Sequence, residues 1–283
     1  MAVSMNTNTA ATAAANNLSK GVAINQKSLT RLSSGSKIVN SSDDAGGLAV
    51  SMRMRAAMSR NQAASSNISN ALSFLQTQEA SLRGFASVMT RMTELVSLMQ
   101  DVTKTADDLE NYVTEMKALA AELQKIREEK FNEIPLFGLV SESESNLTVV
   151  LSEDGSQTGT ISQAFLGDMR FDNIIQYSDT IEHIDAKSEY EDSLKPEAYK
   201  IMLDEVATFL ATNGAQQSRL KSALESMNTS FSNMEAATSR IVDVDVAKEA
   251  TQLAKTDILV KAGGVMLQQA NVSSSIAMKL ING

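Results

Sequence analysis

Apolar side chains return at alternating steps of three and four along most of this chain, the period of helices that pack along one narrow seam. The first stripe runs Leu18, Val22, Asn25, Leu29 and Leu32. It is wide enough to seat one partner helix and too thin for a globular core. Gly35 closes it, as a residue free to adopt positive φ does at a helix end. Ser42 or Asp43 then reads as the cap of a second helix, with acids where the helix dipole favours them. Gly46 and Gly47 follow at once, each costing about 1 kcal/mol against alanine inside a helix. Close approach by a neighbouring element would explain them.

That second helix predicts the spine of the molecule. Ile68, Leu72, Leu75, Leu82, Phe85, Met89, Met92, Val96 and Met99 mark one face, with Glu79 as the single interruption. A run from about Asp44 to Val102 would be on the order of 85 Å long, and no proline before Pro135 forbids it. A second stripe, Val88, Arg91, Leu95, Leu98 and Val102, is rotated away from the first. It is either another buried face or a surface between subunits. A third helix starts at Asp107 or Asp108 and ends near Glu128, with Leu109, Val113, Met116, Ala120, Leu123 and Ile126 on one side. Helical periodicity breaks between Asn132 and Gly138. Asn146–Leu151, a turn at Glu153–Ser156, and Thr158–Ile161 read as a β-hairpin. Helical spacing resumes after Pro196 through Leu220, Leu224, Met227, Phe231, Met234 and Ile241. A last helix carries Leu259, Ala262, Met266, Ala270, Ile276 and Leu280. The expected fold class is mainly α: an elongated, coiled-coil-like bundle of long helices, paired terminal helices, and one small β-hairpin.

Composition narrows the function. The 283 residues include no cysteine, no tryptophan, two prolines and 4% aromatics, so disulfides and thiolate metal sites are excluded. No stretch approaches the roughly 18 apolar residues of a membrane span. The first 17 residues are polar and Ala-rich, without the apolar core of a secretory signal. Charge is uneven: residues 1–73 hold seven Lys/Arg against two acids, residues 240–283 five against four, and the middle 13 against 28. The N-terminal bases are scattered along helical positions with no interleaved aromatics, which argues against nucleic acid. An acidic outer surface with near-neutral ends buried among neighbours fits better.

Candidate chemistry is sparse. His183 is the one histidine, and Ile181–Asp185 offers no second histidine at helical spacing for a zinc site. Phosphate-cradling glycine loops and G-x-S-x-G elbows are missing. No cofactor is expected and no enzyme activity. Of the 15 methionines, Met89, Met92, Met99, Met227 and Met234 fall on the stripes as gap fillers, the alternative being an adaptable binding face.

The two ends carry motifs of matching kind. Near the start stand Asn6-Thr7-Asn8, Leu32-Ser33-Ser34-Gly35, Lys37-Ile38-Val39-Asn40, Asp43-Asp44-Ala45-Gly46-Gly47-Leu48-Ala49 and Gln76-Thr77-Gln78-Glu79. Near the end stand Arg240-Ile241, Asp243, Asp245, Ala247, Glu249, Leu253, Ile258-Leu259, Ala262 and Gln269-Ala270-Asn271. Over roughly the first 130 and last 90 residues the chain resembles bacterial flagellin, in a short form with a reduced outer region. Asp257 departs from the family, which commonly carries Gln there. The resemblance implies a self-assembling filament subunit for motility. It also implies export through the flagellar type III channel to an extracellular filament, with an export chaperone, a filament cap and hook-associated proteins as partners. The alternative is the hook–filament junction protein, which has similar ends.

Three regions are expected: 1–42 with 244–283 as terminal filament-core helices, 43–138 with 191–243 as a helical rod, and 139–190 as a small outer insert. The terminal segments bury too little alone to offset their ordering entropy, and are expected to fold together on assembly. Leu18, Leu29 and Leu32 at one end, with Leu259, Met266 and Leu280 at the other, are the expected assembly residues. In flagellins sensed by the animal Toll-like receptor for flagellin, the long helix supplies an Arg and a Leu and the next helix a Glu. Aligned from Gln76-Thr77, those positions fall on Arg91, Leu95 and Glu115. Thr93 stands where that group often has a second Arg, and Met89 where it usually has Leu.

Overall fold

A computed structural model describes residues 7–138, 146–166 and 196–282. Helices dominate: α1 (Thr9–Ser34), α2 (Ala45–Met99), α3 (Ala106–Arg127), α4 (Pro196–Val242) and α5 (Val246–Asn282). Six short strands are β1 (Lys130–Phe131), β2 (Ile134–Pro135), β3 (Phe137–Gly138), β4 (Asn146–Val150), β5 (Thr158–Ser162) and β6 (Ala164–Phe165). The fold is mainly α, with the terminal helices packed together. The chain divides into two compact units, residues 1–56 with 232–283 and residues 57–231, so the divisions fall inside α2 and inside α4.

In the unit of residues 57–231 the core follows the long stripe of α2. Ile68, Leu75, Leu82, Phe85, Met89, Met92 and Val96 are all buried. They meet Met116, Ala120, Leu123 and Ile126 of α3 and Tyr199, Met202, Val206, Leu220 and Met227 of α4 in one cluster. Glu79 does not interrupt the stripe, because Gln78, 1% exposed, fills the core position between Leu75 and Leu82. The α3 start differs from the sequence reading. Thr105 is its cap, in a reciprocal capping box with Asp108.

The hairpin forms where expected: β4 pairs antiparallel with β5, Leu147 opposite Ile161 and Val149 opposite Gly159. It is not a free appendage. Ile161, Ala164 and Leu166 are buried in the same core, and β6 pairs in parallel with β3. The break at 132–138 holds a tight β1–β2 turn, with Asn132 and Glu133 both at positive φ.

In the other unit α1 ends at Gly35, whose φ of 70° supplies the left-handed cap. The cap of α2 is Asp44, not Ser42 or Asp43: its carboxylate accepts from the Gly47 amide at 2.8 Å. This also explains Gly47. A Cβ there would stand 2.4 Å from Asp44 Oδ2 and 3.0 Å from Ile38 Cδ1, so the crowding comes from the helix's own cap and not from a neighbouring backbone.

Candidate assembly site

The terminal helices α1 and α5 run antiparallel. Leu18 lies against Gly263, Gly21 against Val260, and the Arg31 guanidinium is 3.8 Å from Glu249, so partners descend along α5 as they ascend along α1. At the N-terminus of α1, Asn8 accepts from the Ala11 amide and donates its own amide to the Ala270 carbonyl at 3.0 Å. One side chain thus caps α1 and ties it to α5.

The seam between these helices differs from the stripe read off the sequence. On α1 the covered positions include Leu18, Gly21, Asn25, Ser28 and Leu32. On α5 they include Leu253, Thr256, Val260, Gly263 and Leu267. Ser28 and Thr256 are each only 2% exposed. Both sets step by three and four, but half their members are small or polar. A Cβ on Gly21 would come within 3.3 Å of Val260, so small residues let the two backbones approach.

The larger apolar residues consequently face out. Leu29 is 57% exposed, Leu259 54% and Met266 66%, while Val22, Ile24, Ile258, Val265, Val272 and Ile276 are exposed too. Of the expected assembly residues, Leu18 and Leu32 are half-covered in the seam, whereas Leu29, Leu259 and Met266 lie outside it. Leu280 falls within α5, but its side chain lies outside the described residues.

The links beside this pair are held by backbone and charge. Ser36 bridges Asp243, the Lys37 amide donates to the Val242 carbonyl at 2.6 Å, and the Val244 amide donates to Gly35 at 3.1 Å. Asp43 accepts from the Val39 and Asn40 amides and pairs with Lys27 at 2.5 Å. The Lys27 ammonium, and then the two amides, hold its carboxyl down at about 2. Asp245 caps α5 through the Lys248 amide, which assigns a task to one acid of the C-terminal motif.

In the unit of residues 57–231, Arg91 bridges two helices. Its Nε donates to Glu115 Oε1 at 2.7 Å and a terminal nitrogen to Glu94 Oε2 at 2.7 Å. The guanidinium holds Glu115 below the ordinary carboxylate range. Leu95 does not share this surface. It is fully buried in the core, because the turn of α2 that directs Met92 and Val96 inward carries Leu95 with them. The second stripe therefore splits: Val88 packs on the core, and Leu98 and Val102 are exposed.

A buried polar chain escaped the sequence reading. The Asn213 amide donates to the Leu75 carbonyl and to Gln78, Gln78 donates to the Leu136 carbonyl, and Gln217 donates to Asn213 and to Glu79. Arg83, and then Gln217, lowers the pKa of Glu79. The signal was present: Gln78 stands at a core step of α2, and Asn213 lies seven residues from both Val206 and Leu220. His183 lies outside the described residues. Among the described residues no group of three His, Cys, Asp or Glu side chains could hold a metal, and no helix is long and apolar enough to cross a membrane.

Residues 5–140 match the bacterial flagellin N-terminal helical region, and residues 199–280 match the flagellin C-terminal helical region. The chain belongs to the flagellin family. It is 30% identical to a flagellin of Halalkalibacterium halodurans over 94% of this chain and 93% of that protein. A flagellin of Bacillus subtilis is 30% identical over 98% of this chain and 99% of its own length. The 33 kDa flagellar filament core protein of Treponema phagedenis is 31% identical over 90% of this chain and 92% of its length. Nothing in these relatives favours the hook–filament junction reading.

Proposed function

We propose that this flagellin is a structural subunit of the flagellar filament and polymerises through the outward faces of α1 and α5. The observation that carries the reading is the apolar surface on α5, where Ile258, Leu259, Val265 and Met266 are each more than half exposed beside a seam already filled by α1. A helix apolar on several faces is stable only when surrounded. Covering side chains of this size stabilises by about 1.5–3 kcal/mol each. Repeated head-to-tail contacts that do not close build a helical polymer.

Coupling of folding to association follows from the seam. Gly21, Ser28, Thr256 and Gly263 contribute little apolar area, so the α1–α5 pair gains most of its stability from neighbouring copies. The role is structural and needs no catalytic group. Export through the type III channel, and contacts with an export chaperone, the filament cap and hook-associated proteins, belong to the same proposal and rest on family resemblance.

Seeded polymerisation of the purified chain at neutral pH, followed by negative-stain electron microscopy, tests the reading. Long filaments are expected. Subunits that stay monomeric on seeds across a range of salt would sink it.

Arg91 and Glu115 support a second reading, an animal Toll-like receptor contact, because α2 and α3 bring them to 2.7 Å of one another at the surface. Leu95 takes no direct part in it, being buried. Arg91→Ala is expected to weaken a receptor response, and an unchanged dose–response curve would remove the idea.

A further inference from the structure

The described methionines range from buried to exposed, with Met54, Met58, Met99 and Met234 half-buried between the two extremes. Met89, Met92, Met116, Met202 and Met227 are buried, none above 5% exposed. Met52 and Met266 are 63% and 66% exposed. Core thioethers are sterically shielded, whereas an exposed one meets dissolved oxidants freely. Met266 also has a particular setting. It lies seven residues, two helical turns, from Leu259 on the same side of α5, and next to Val265, so it belongs to an exposed apolar surface.

We propose that Met266 is an oxidation site whose modification excludes the subunit from assembly. The inference rests on the reading that the outward face of α5 is buried between copies. The oxidant is a hydroperoxide. The thioether sulfur attacks one peroxide oxygen, an S–O bond forms as the O–O bond breaks, and sulfur loses two electrons. The departing oxygen leaves as water from hydrogen peroxide, or as an alcohol from an organic peroxide. The product sulfoxide is polar and chiral, and it is reversible by methionine sulfoxide reductases. Placed on a face that must be dried against another copy, it lacks a hydrogen-bond partner and opposes burial.

The arrangement distinguishes free subunits from assembled ones. A free subunit presents Met266 to oxidant, while an assembled one covers it. Oxidised subunits fail to add, and filaments already built resist. Met52, equally exposed, stands on α2 next to Arg53 and serves as an internal gauge of oxidant access.

The test treats full-length wild type, Met266→Leu and Met52→Leu with hydrogen peroxide, maps sulfoxides by peptide mass spectrometry, and follows seeded elongation. Met52 and Met266 are expected to oxidise well before Met89 and Met92. Treated wild type and treated Met52→Leu should elongate about tenfold more slowly than untreated protein. Treated Met266→Leu should keep its untreated rate, and reductase treatment should restore wild type. Treated wild type elongating at full rate, or Met266→Leu being inhibited as strongly as wild type, would overturn the proposal. Untreated wild type that never elongates removes the assembly reading and this proposal with it, and the sulfoxide map separates that outcome from a failure of the chemistry at Met266.

Discussion

Asn213 and Gln78 meet inside the helical core at 2.7 Å, Nδ2 to Oε1, with each residue almost wholly shielded from solvent. Each occupies a position where the heptad spacing of its helix calls for an apolar side chain. Asn213 also reaches the Leu75 carbonyl, Gln78 the Leu136 carbonyl, and Gln217 closes the chain onto Asn213. Sliding α4 by one turn against α2 would strand these groups without partners, so the pair selects a register that apolar contacts alone leave loosely defined.

Asn213→Ala is expected to destabilise the protein by about 1–3 kcal/mol, because it leaves the buried Gln78 Oε1 without its donor and takes from Gln217 one of its two acceptors. Urea denaturation measures this directly. A midpoint within experimental error of wild type would mean that the polar chain does not hold the register.

Gly47 and the Asp44 cap form one unit. A methyl at Gly47 collides with the carboxylate that caps α2, so in Gly47→Ala the lost cap, about 1 kcal/mol, should cancel the gain of about 1 kcal/mol that alanine has over glycine in a helix, whereas Asp44→Ala should lose the cap alone. With the carboxylate gone the collision is gone too, so the double variant should be about 1 kcal/mol more stable than Asp44→Ala. Denaturation of the three proteins checks this, and costs that simply add would contradict it.

Asp43 makes stability depend on acid. Its folded value of about 2 lies below the ordinary 3.8, chiefly through Lys27. The contribution is therefore fully present above pH about 4 and is lost as pH falls toward 2. Asp43→Asn removes it at neutral pH, so the gap between wild type and variant should narrow through that window. Denaturation midpoints measured from pH 6 to 2 would show the narrowing, and a constant gap would assign the effect elsewhere.

Much of this was legible before any coordinates. The apolar stripe of α2, the close of α1 at Gly35 and the hairpin of 146–151 with 158–161 follow from spacing and turn chemistry, and the pairing of the termini from their narrow stripes together with the family resemblance. The seam of α1 did not. Sequence pattern weights large apolar residues, which pointed to Val22 and Leu29. The helices instead meet through Gly21 and Ser28, because short side chains allow closer backbone approach and leave the large ones for other contacts. Spacing left open for a similar reason whether Leu95 faces the core or a surface: its stripe also contains Arg91, and period alone cannot say which edge of a wide buried face ends at solvent. Gln78 and Asn213 were passed over because a polar residue at a core step carries meaning only when its partner on another helix is known.

The central claim is that the outward face of α5 joins copies of the chain, and Leu259 tests it most directly. Leu259 lies outside the α1 seam and is 54% exposed, so Leu259→Glu should leave the circular dichroism and denaturation of the subunit unchanged. The measurement is the critical concentration for seeded polymerisation of this variant beside wild type. A rise of about tenfold or more, from burying an unpaired carboxylate, is the predicted result. Filaments growing at the wild-type critical concentration would contradict the account.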